Sequence, residues 1–227
     1  MKKYIAEFIG TLVLVLFSTG VAVITGGTVI SFVTVPLAFG LSIVAMAYVI
    51  GNISGCHVNP AVSLAMLITG KMKIKDFCFY VIAQVAGAFA GSGLLYLILN
   101  NTMLGTTALG ANGYLELSMT NITLFAALLV EVILTFVFVY TVLGVTSDKD
   151  KGPISGLVIG GTLAFVHLLG IPLTGTSVNP ARSLAPAVLT GGVALQQVWV
   201  FIVAPFVGGA IAALVFLLLN KEKKARK

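Results

Sequence analysis

Charged side chains are scarce in this sequence of 227 residues, where Asp, Glu, Lys and Arg together make up 9% of the chain. A soluble domain carries about 25% of these residues. Hydrophobic residues account for 59% of the chain, and its mean hydropathy is +1.11. This composition excludes an ordinary soluble domain. It predicts a membrane protein whose length suits one helical bundle.

Cysteine and histidine are also rare, with two residues of each. Cys56 and Cys78 lie in or beside apolar segments, and they indicate no disulfide framework. The two histidines are accompanied by no pair of acids and no spacing typical of metal ligands. We therefore expect no metal, no cofactor and no enzymatic activity.

Basic residues are confined to a few places along the chain. Twelve of the thirteen fall in four clusters: Lys2 and Lys3; Lys71, Lys73 and Lys75; Lys149 and Lys151; and Lys221, Lys223, Lys224, Arg226 and Lys227. Six membrane spans would put all four clusters on one side, and positive loops lie in the cytoplasm. We expect a plasma-membrane protein with both termini cytoplasmic. The net charge of +6 then reflects topology and not a nucleic-acid partner.

Six apolar stretches are long enough to cross a hydrocarbon core of ~30 Å. They cover about 4–25, 30–51, 77–99, 123–145, 154–171 and 196–219. Two further stretches, about 59–69 and 179–190, have only about half the length that a spanning helix needs. Each begins with Asn-Pro-Ala, in which Asn can cap a helix and Pro fits its first turn. The sequence therefore predicts two half-helices, after the second and fifth spans.

The two halves of the chain repeat one another. Asn59-Pro60-Ala61 and Asn179-Pro180-Ala181 are 120 positions apart, and Glu7 aligns with Glu131 at an offset of 124. Each half has three full spans, an odd number, so the second half enters the membrane inverted. Inverted repeats with broken helices place a substrate path where the half-helices meet.

These motifs resemble the aquaporin (major intrinsic protein) family, in its water-selective, prokaryotic type. The resemblance rests on the two Asn-Pro-Ala motifs, three spans per half and a Glu in the first span of each half. It implies an all-α membrane protein with six transmembrane helices and two half-helices, arranged as inverted three-helix repeats around a central pore. It also implies a passive, proton-excluding water channel that forms a homotetramer with one pore per subunit.

The expected organisation is a single transmembrane channel domain over residues 1–227. Its parts are repeat 1 (about 1–99), an external connecting loop (about 100–122), repeat 2 (about 123–219) and a basic cytoplasmic tail (220–227). Its partners are the lipid bilayer, water and other small neutral solutes.

The paired half-helices offer a physical reason for proton exclusion. Each helix N-terminus carries roughly +0.5 charge, so two facing N-termini form a positive barrier. If Asn59 and Asn179 cap their helices through the side-chain oxygen, each NH2 can donate into the lumen. A water that accepts from both must point its own hydrogens outward. The directed chain of hydrogen bonds that a proton needs is then broken.

By the resemblance, the selectivity filter consists of Phe39, His167, Thr176 and Arg182. A guanidinium in hydrocarbon is costly, so Arg182 should face the lumen and donate to backbone carbonyls. Phe39 and His167 are bulky enough to leave room for about one water. Ser183 follows Arg182 where the glycerol-conducting branch usually carries Asp. These features favour water over polyols.

Three further residues are expected to support the loops, and a fourth is a candidate mercurial site. Glu7 and Glu131 should each accept hydrogen bonds from backbone N–H groups of the half-helix loop on their own side, since lipid could not satisfy those groups. His57 is expected to brace the inner loop, with gating as a second role. Cys56 occupies the place in the inner loop that Thr176 has in the outer loop. It is therefore a candidate mercurial site at the cytoplasmic mouth, unless it is buried behind the loop.

Other functions stay open at this point. A facilitator of glycerol or of another small neutral solute would belong to the same family. A secondary transporter also has inverted repeats, but it needs a coupling-ion site, for which only Glu7 and Glu131 are candidates. A proton relay through these two acids, an adhesion scaffold and a membrane enzyme are weaker alternatives.

Overall fold

A computed structural model of the chain describes residues 1–104, 108–147 and 152–225, with side chains as far as Asn220. Apart from a 3-10 turn at Leu115–Leu117, the regular structure in these ranges is α-helical. The helices are α1 (Lys2–Thr25), α2 (Ser31–Ser54), α3 (Pro60–Ile68), α4 (Ile74–Leu99), α5 (Leu124–Val145), α6 (Gly152–Thr174), α7 (Pro180–Thr190), α8 (Gly192–Gln197) and α9 (Val200–Ala225).

Six segments of the described chain are long and apolar enough to cross a membrane. They are α1, α2, α4, α5, α6 and the stretch Gly192–Asn220, which contains α8 and most of α9. The predicted fold class is confirmed, and the chain is a multi-pass membrane protein. The basic pair Lys149 and Lys151 lies outside the described residues, and so do the side chains of the cluster that begins at Lys221.

Two predicted span boundaries differ from the structure. The sixth segment begins at Gly192 and not at 196, because it includes the short helix α8, which a break at Val198 and Trp199 separates from α9. A helix of six residues is too short to give a periodic pattern, so the sequence did not predict it. The third span begins at Ile74 and not at 77, and it includes Asp76 in its first turn. The side chain of Lys3 forms an ion pair with Asp76 at 2.8 Å.

The helices pack as two similar halves. In the first half α1 lies along α4, in the second half α5 lies along α9, and α2 and α6 join the halves. The contact in each half depends on a glycine. A Cβ on Gly87 would collide with the carbonyl of Phe8, and one on Gly208 would lie 2.5 Å from the carbonyl oxygen of Val132. Phe8 and Val132 are themselves 124 positions apart, so the same close approach is built twice.

The half-helices α3 and α7 enter the bundle after loops of unusual backbone geometry. Cys56 and Val58 have φ values of 50° and 43°, and their counterparts Thr176 and Val178 both have 45°. Non-glycine residues rarely adopt positive φ, and β-branched ones least of all. Such strain costs on the order of 1–3 kcal/mol per residue and persists only where the surroundings hold it in place. The two loops are therefore held by specific contacts.

Candidate conduction pathway

The N-termini of α3 and α7 meet in the centre of the molecule. Asn59 caps α3 by accepting a hydrogen bond from the backbone N–H of Ala61 at 2.8 Å. Asn179 caps α7 by accepting from the N–H groups of Ala181 and Arg182 at 3.1 and 3.2 Å. Pro60 and Pro180 occupy the first helical positions. Both Asn-Pro-Ala motifs thus form the starts of short helices.

The two asparagine side chains also join the loops crosswise. The Nδ2 of Asn59 donates to the carbonyl of Val178 at 2.7 Å, and the Nδ2 of Asn179 donates to the carbonyl of Val58 at 2.9 Å. An amide NH2 has two hydrogens, so one on each side chain remains for the lumen. The sequence alone predicted that the whole NH2 group faces the lumen. The bond to the opposite loop was missed because its acceptor lies in the other half of the chain.

Three cavities lie end to end through the molecule. The central one has about 260 Å³ of space between its lining atoms, part of it open to its neighbours, and is bordered by Asn59 and Asn179. Arg182 borders both this cavity and one of about 530 Å³ that opens on one face. Ile43 borders both the central cavity and one of about 730 Å³ on the other side. A path therefore passes the half-helix N-termini, with its narrow part in the middle.

Three of the predicted filter residues come together in the central cavity. The rings of Phe39 and His167 stack, with centroids 4.2 Å apart, and the guanidinium carbon of Arg182 lies 5.0 Å from the Phe39 centroid. The Nδ1 of His167 is 2.8 Å from the carbonyl oxygen of Leu163, which can only accept, so Nδ1 carries the hydrogen. In the neutral ring Nε2 is then an acceptor. It is buried without a partner in the described protein.

Arg182 is anchored by backbone carbonyls. Its Nη1 donates to the carbonyl of Gly110 at 2.8 Å, and its Nη2 donates to that of Gly175 at a long 3.5 Å. Only 2% of the residue is exposed, and Nε has no partner among the described residues. Within those residues Arg182 forms no ion pair. In the described chain the guanidinium therefore lies beside the cavity with no carboxylate in direct contact.

Thr176 takes a different position from the other predicted filter residues. Its side chain is directed at Gly170 of α6, where an added Cβ would collide with the threonine hydroxyl. That hydroxyl is buried and has no hydrogen-bond partner in the described chain. The backbone N–H of Thr176 donates to the hydroxyl of Thr174 at 3.2 Å. The side chain of Thr176 thus lies against α6.

Glu7 and Glu131 hold the two loops in the same way. Glu7 accepts from the backbone N–H groups of His57 and Val58 at 2.9 and 2.7 Å. Glu131 accepts from those of Ser177 and Val178 at 2.9 and 3.0 Å. Each carboxylate also accepts a hydrogen bond of 2.6 Å from a hydroxyl group. Ser54 is the donor to Glu7, and Thr174 is the donor to Glu131. These bonds stabilise the strained backbone of both loops.

The inner loop has further support from Gln84 and His57. Gln84 donates to Glu7 at 2.7 Å and to the hydroxyl of Ser63 at 3.0 Å. The Nδ1 of His57 is 3.1 Å from the same hydroxyl, and its ring packs edge-on to that of Tyr80. Sequence reasoning missed Gln84, although an amide within an apolar span is a signal that a buried partner exists.

Cys56 is half-buried and borders the 730 Å³ cavity, together with Tyr48 and Thr146. Its backbone N–H donates to the hydroxyl of Ser54 at 3.1 Å, as that of Thr176 does to Thr174. The thiol position is therefore reached from one mouth of the path.

Comparison with known proteins agrees with this geometry. Residues 1–216 match the family described as Major intrinsic protein. The chain belongs to this family. It is 44% identical to Aquaporin Z of Rhodopseudomonas palustris, over 97% of this chain and 94% of that protein. It is 43% identical to Aquaporin Z of Bradyrhizobium diazoefficiens, over 98% and 95% respectively.

A solved structure of the family has the same fold. The X-ray structure of the aquaglyceroporin from Plasmodium falciparum matches with a TM-score of 0.81 and 25% identity, over 95% of this chain and 94% of that one. Major intrinsic proteins are channels, so the predicted absence of enzymatic activity is confirmed. The predicted family is confirmed as well.

Proposed function

We propose that this major intrinsic protein is a passive, proton-excluding water channel. The observation that carries the proposal is the meeting of two half-helix N-termini beside a narrow central cavity, with Arg182 at the junction of the central and outer cavities. The two Aquaporin Z relatives, which align over nearly their full lengths, support water as the permeant and do not favour glycerol.

Proton exclusion follows from the charges that surround the central cavity. The two N-termini contribute roughly half a positive charge each, and they face one another. The remaining amide hydrogens of Asn59 and Asn179 are donors, so a water between them accepts from both and turns its own hydrogens away. The guanidinium of Arg182, which forms no ion pair within the described chain, adds a second positive barrier nearer the outer mouth. Hydronium and metal cations are repelled at both places.

Selectivity for water over larger solutes is assigned to the ring of Phe39, His167 and Arg182. Phe39 forms an apolar wall, His167 offers Nε2 as an acceptor, and Arg182 donates. A passing water exchanges its lost hydrogen bonds for these two. Thr176 acts in this proposal from behind the ring, through its backbone and its packing against Gly170.

The supporting roles follow from the same contacts. Glu7 and Glu131 hold the loops, and both accept hydrogen bonds from hydroxyl and backbone N–H donors, which leaves them poorly suited to bind a coupling ion or to relay protons. His57 braces the inner loop through Ser63. This arrangement favours a channel over a secondary transporter.

The wider organisation is proposed from the sequence and the family. The chain forms one channel domain over residues 1–227, both termini and the basic loops face the cytoplasm, and the membrane is the plasma membrane. Four copies associate, each with its own pore.

The proposal is tested with purified protein in liposomes, by stopped-flow light scattering under osmotic gradients of an impermeant solute and of glycerol. We expect water flow at least tenfold above that of empty liposomes, with a low activation energy and slow glycerol entry. The rate should not respond to ion or proton gradients. Glycerol entry as fast as water flow would assign the chain to solute facilitation, and a rate that depends on an ion gradient would indicate a transporter.

A further inference from the structure

The position of Arg182 depends on one carbonyl in the external connecting loop between α4 and α5. The Nη1–O distance to Gly110 is 2.8 Å, whereas the second anchor, Gly175, is at the 3.5 Å limit of a hydrogen bond. Nε has no partner in the described chain, and the remaining contact is with the face of Phe39. A hydrogen bond of 3.5 Å is much weaker than one of 2.8 Å. The carbonyl of Gly110 is therefore the main anchor of the guanidinium.

Gly110 belongs to a loop segment with little regular structure of its own. It has a φ of 70°, and a Cβ at this position would lie 2.7 Å from the Cβ of Thr19. The segment is thus pressed against α1, yet no helix or strand holds it. A turn, closed by the N–H of Ala111 on the carbonyl of Ala108 at 2.9 Å, shapes the segment. Where the Gly110 carbonyl points therefore depends on the contacts that hold this turn in place.

Asn112, two residues further on, connects this segment to both sides of the filter. Its Nδ2 donates to the carbonyl of Thr174 at 3.2 Å, and the N–H of Gly113 donates to the same carbonyl at 3.2 Å. Its Oδ1 accepts a hydrogen bond from the hydroxyl of Ser183 at 2.8 Å. Thr174 ends α6 and leads into the outer loop, and Ser183 follows Arg182 on α7.

We propose that Asn112 is a positioning residue for the selectivity filter. It ties the Gly110 segment to the helix that carries Arg182 and to the loop that carries Gly175, and so keeps the Gly110 carbonyl within reach of the guanidinium. Through this contact it sets the preference for water over larger solutes. The inference rests on the proposed water-channel function and adds a residue 70 positions away from Arg182 to its filter.

The side chain of Asn112 is suited to this role because it is buried and bonded at both ends. Only 2% of the residue is exposed, and both ends of its amide are bonded. Leucine has a similar volume but can make neither bond. Its burial would leave the carbonyl of Thr174 with one donor fewer and the hydroxyl of Ser183 without this acceptor. The Gly110 segment would then no longer be held in a fixed position relative to α7.

Gln197 of α8 provides a matched control that bonds the same loop. It is also buried, and its amide accepts from the N–H of Tyr114 at 2.8 Å and donates to the carbonyl of Tyr114 at 3.2 Å and to the Oε1 of Glu116 at a long 3.4 Å. These partners follow Asn112 in the chain and lie outside the Gly110 segment. Gln197→Leu therefore removes at least as many bonds as Asn112→Leu while the Gly110 segment keeps Asn112.

The experiment compares wild type, Asn112→Leu and Gln197→Leu in liposomes, with permeability divided by the amount of assembled protein. We expect the ratio of water to glycerol permeability to fall at least threefold in Asn112→Leu and to stay within 1.5-fold of wild type in Gln197→Leu. An unchanged ratio in Asn112→Leu would overturn the proposal. Should that variant fail to assemble, Asn112→Ala, which needs no extra space, takes its place.

A second comparison separates positioning from general loop stability. In an Arg182→Val background the guanidinium is absent, so Asn112→Leu should cause no further fall in the ratio. A further fall by the same factor as in wild type would show that Asn112 acts without Arg182, and the positioning role would be wrong. Absence of water flow in wild type itself would contradict the proposed function and not this inference.

Discussion

At the scale of single residues, the path is lined by polar side chains that use only some of their hydrogen-bonding atoms within the described protein. The Nε2 of His167 and the Nε of Arg182 are buried without a protein partner, although buried polar atoms usually have one. The other nitrogens of the two side chains are held by backbone carbonyls, which orient the unpaired atoms. Residues that bond only through part of their polar group can exchange hydrogen bonds with a mobile permeant while they stay in place.

Replacing Arg182 with valine tests the charge barrier. Arg182→Val removes the guanidinium but leaves the two half-helix N-termini, so we expect proton or cation leak to appear and water permeability to stay within about twofold of wild type. Stopped-flow water permeability and a pH-sensitive dye inside the liposomes measure the two effects. A variant that is still tight to protons and cations would assign the barrier to the half-helices alone.

Cys56 gives a second prediction at this scale. Its thiol position borders the inner cavity, so a mercurial applied from the side of the termini should reduce water flow fivefold or more, and Cys56→Ser should abolish the inhibition. Cys78 is the matched control, because it is exposed on α4 and borders none of the three cavities of the path. Cys78→Ser should therefore stay sensitive. Inhibition that persists in Cys56→Ser would place the site elsewhere.

At the scale of helices, the close approach of two helix backbones leaves no room for a side chain at the point of contact. Gly40 of α2 and Gly160 of α6 meet backbone to backbone, since a Cβ on Gly160 would lie 2.5 Å from the carbonyl oxygen of Gly40. This crossing joins the two halves of the molecule and places Phe39 of α2 beside His167 of α6. The separation of these two helices therefore sets the width of the filter.

The pair Gly160 and Gly161 tests this dependence. Gly160→Leu must push α2 and α6 apart, and overpacking of this kind costs about 1–3 kcal/mol or more. Gly161 has nothing within 4 Å of its Cβ position, so Gly161→Leu should change stability by less than about 0.5 kcal/mol. Thermal unfolding of the detergent-solubilised variants, followed by size-exclusion chromatography, compares them. Equal stability of the two leucine variants would contradict the packing argument.

At the scale of the whole molecule, the two halves of the chain repeat one arrangement of helices and loops, and their loops face each other. The loops repeat at an offset of 120, so that Ser54, Cys56 and Val58 correspond to Thr174, Thr176 and Val178 in both backbone angles and hydrogen bonds. The halves differ in the polar side chains that contact their loops. His57 and Gln84 support the inner loop, whereas Ser177, Ser183 and Asn112 connect the outer loop to the segment that anchors Arg182. The proposed filter thus takes His167 and Arg182 from the second half and Phe39 from the first.

Much of this architecture was predictable from the sequence. Long apolar stretches predicted the six spans, and the Asn-Pro-Ala motifs predicted the half-helices, because capping and the first turn depend on neighbouring residues. The break before α9 and the polar partners Gln84 and Asn112 were not predicted. A short helix gives no periodic pattern, and a single amide does not indicate which distant group it bonds.

What the sequence determined by itself is the set of elements and their inverted repetition. In lipid, backbone groups must be satisfied within helices, so hydrophobic length and local caps specify where each element lies. Only the tertiary structure decided that Asn59 bonds the loop of the other half and that Arg182 is held by Gly110. These partners are separated by 119 and 72 positions along the chain, and no local pattern encodes which carbonyl a folded loop will present.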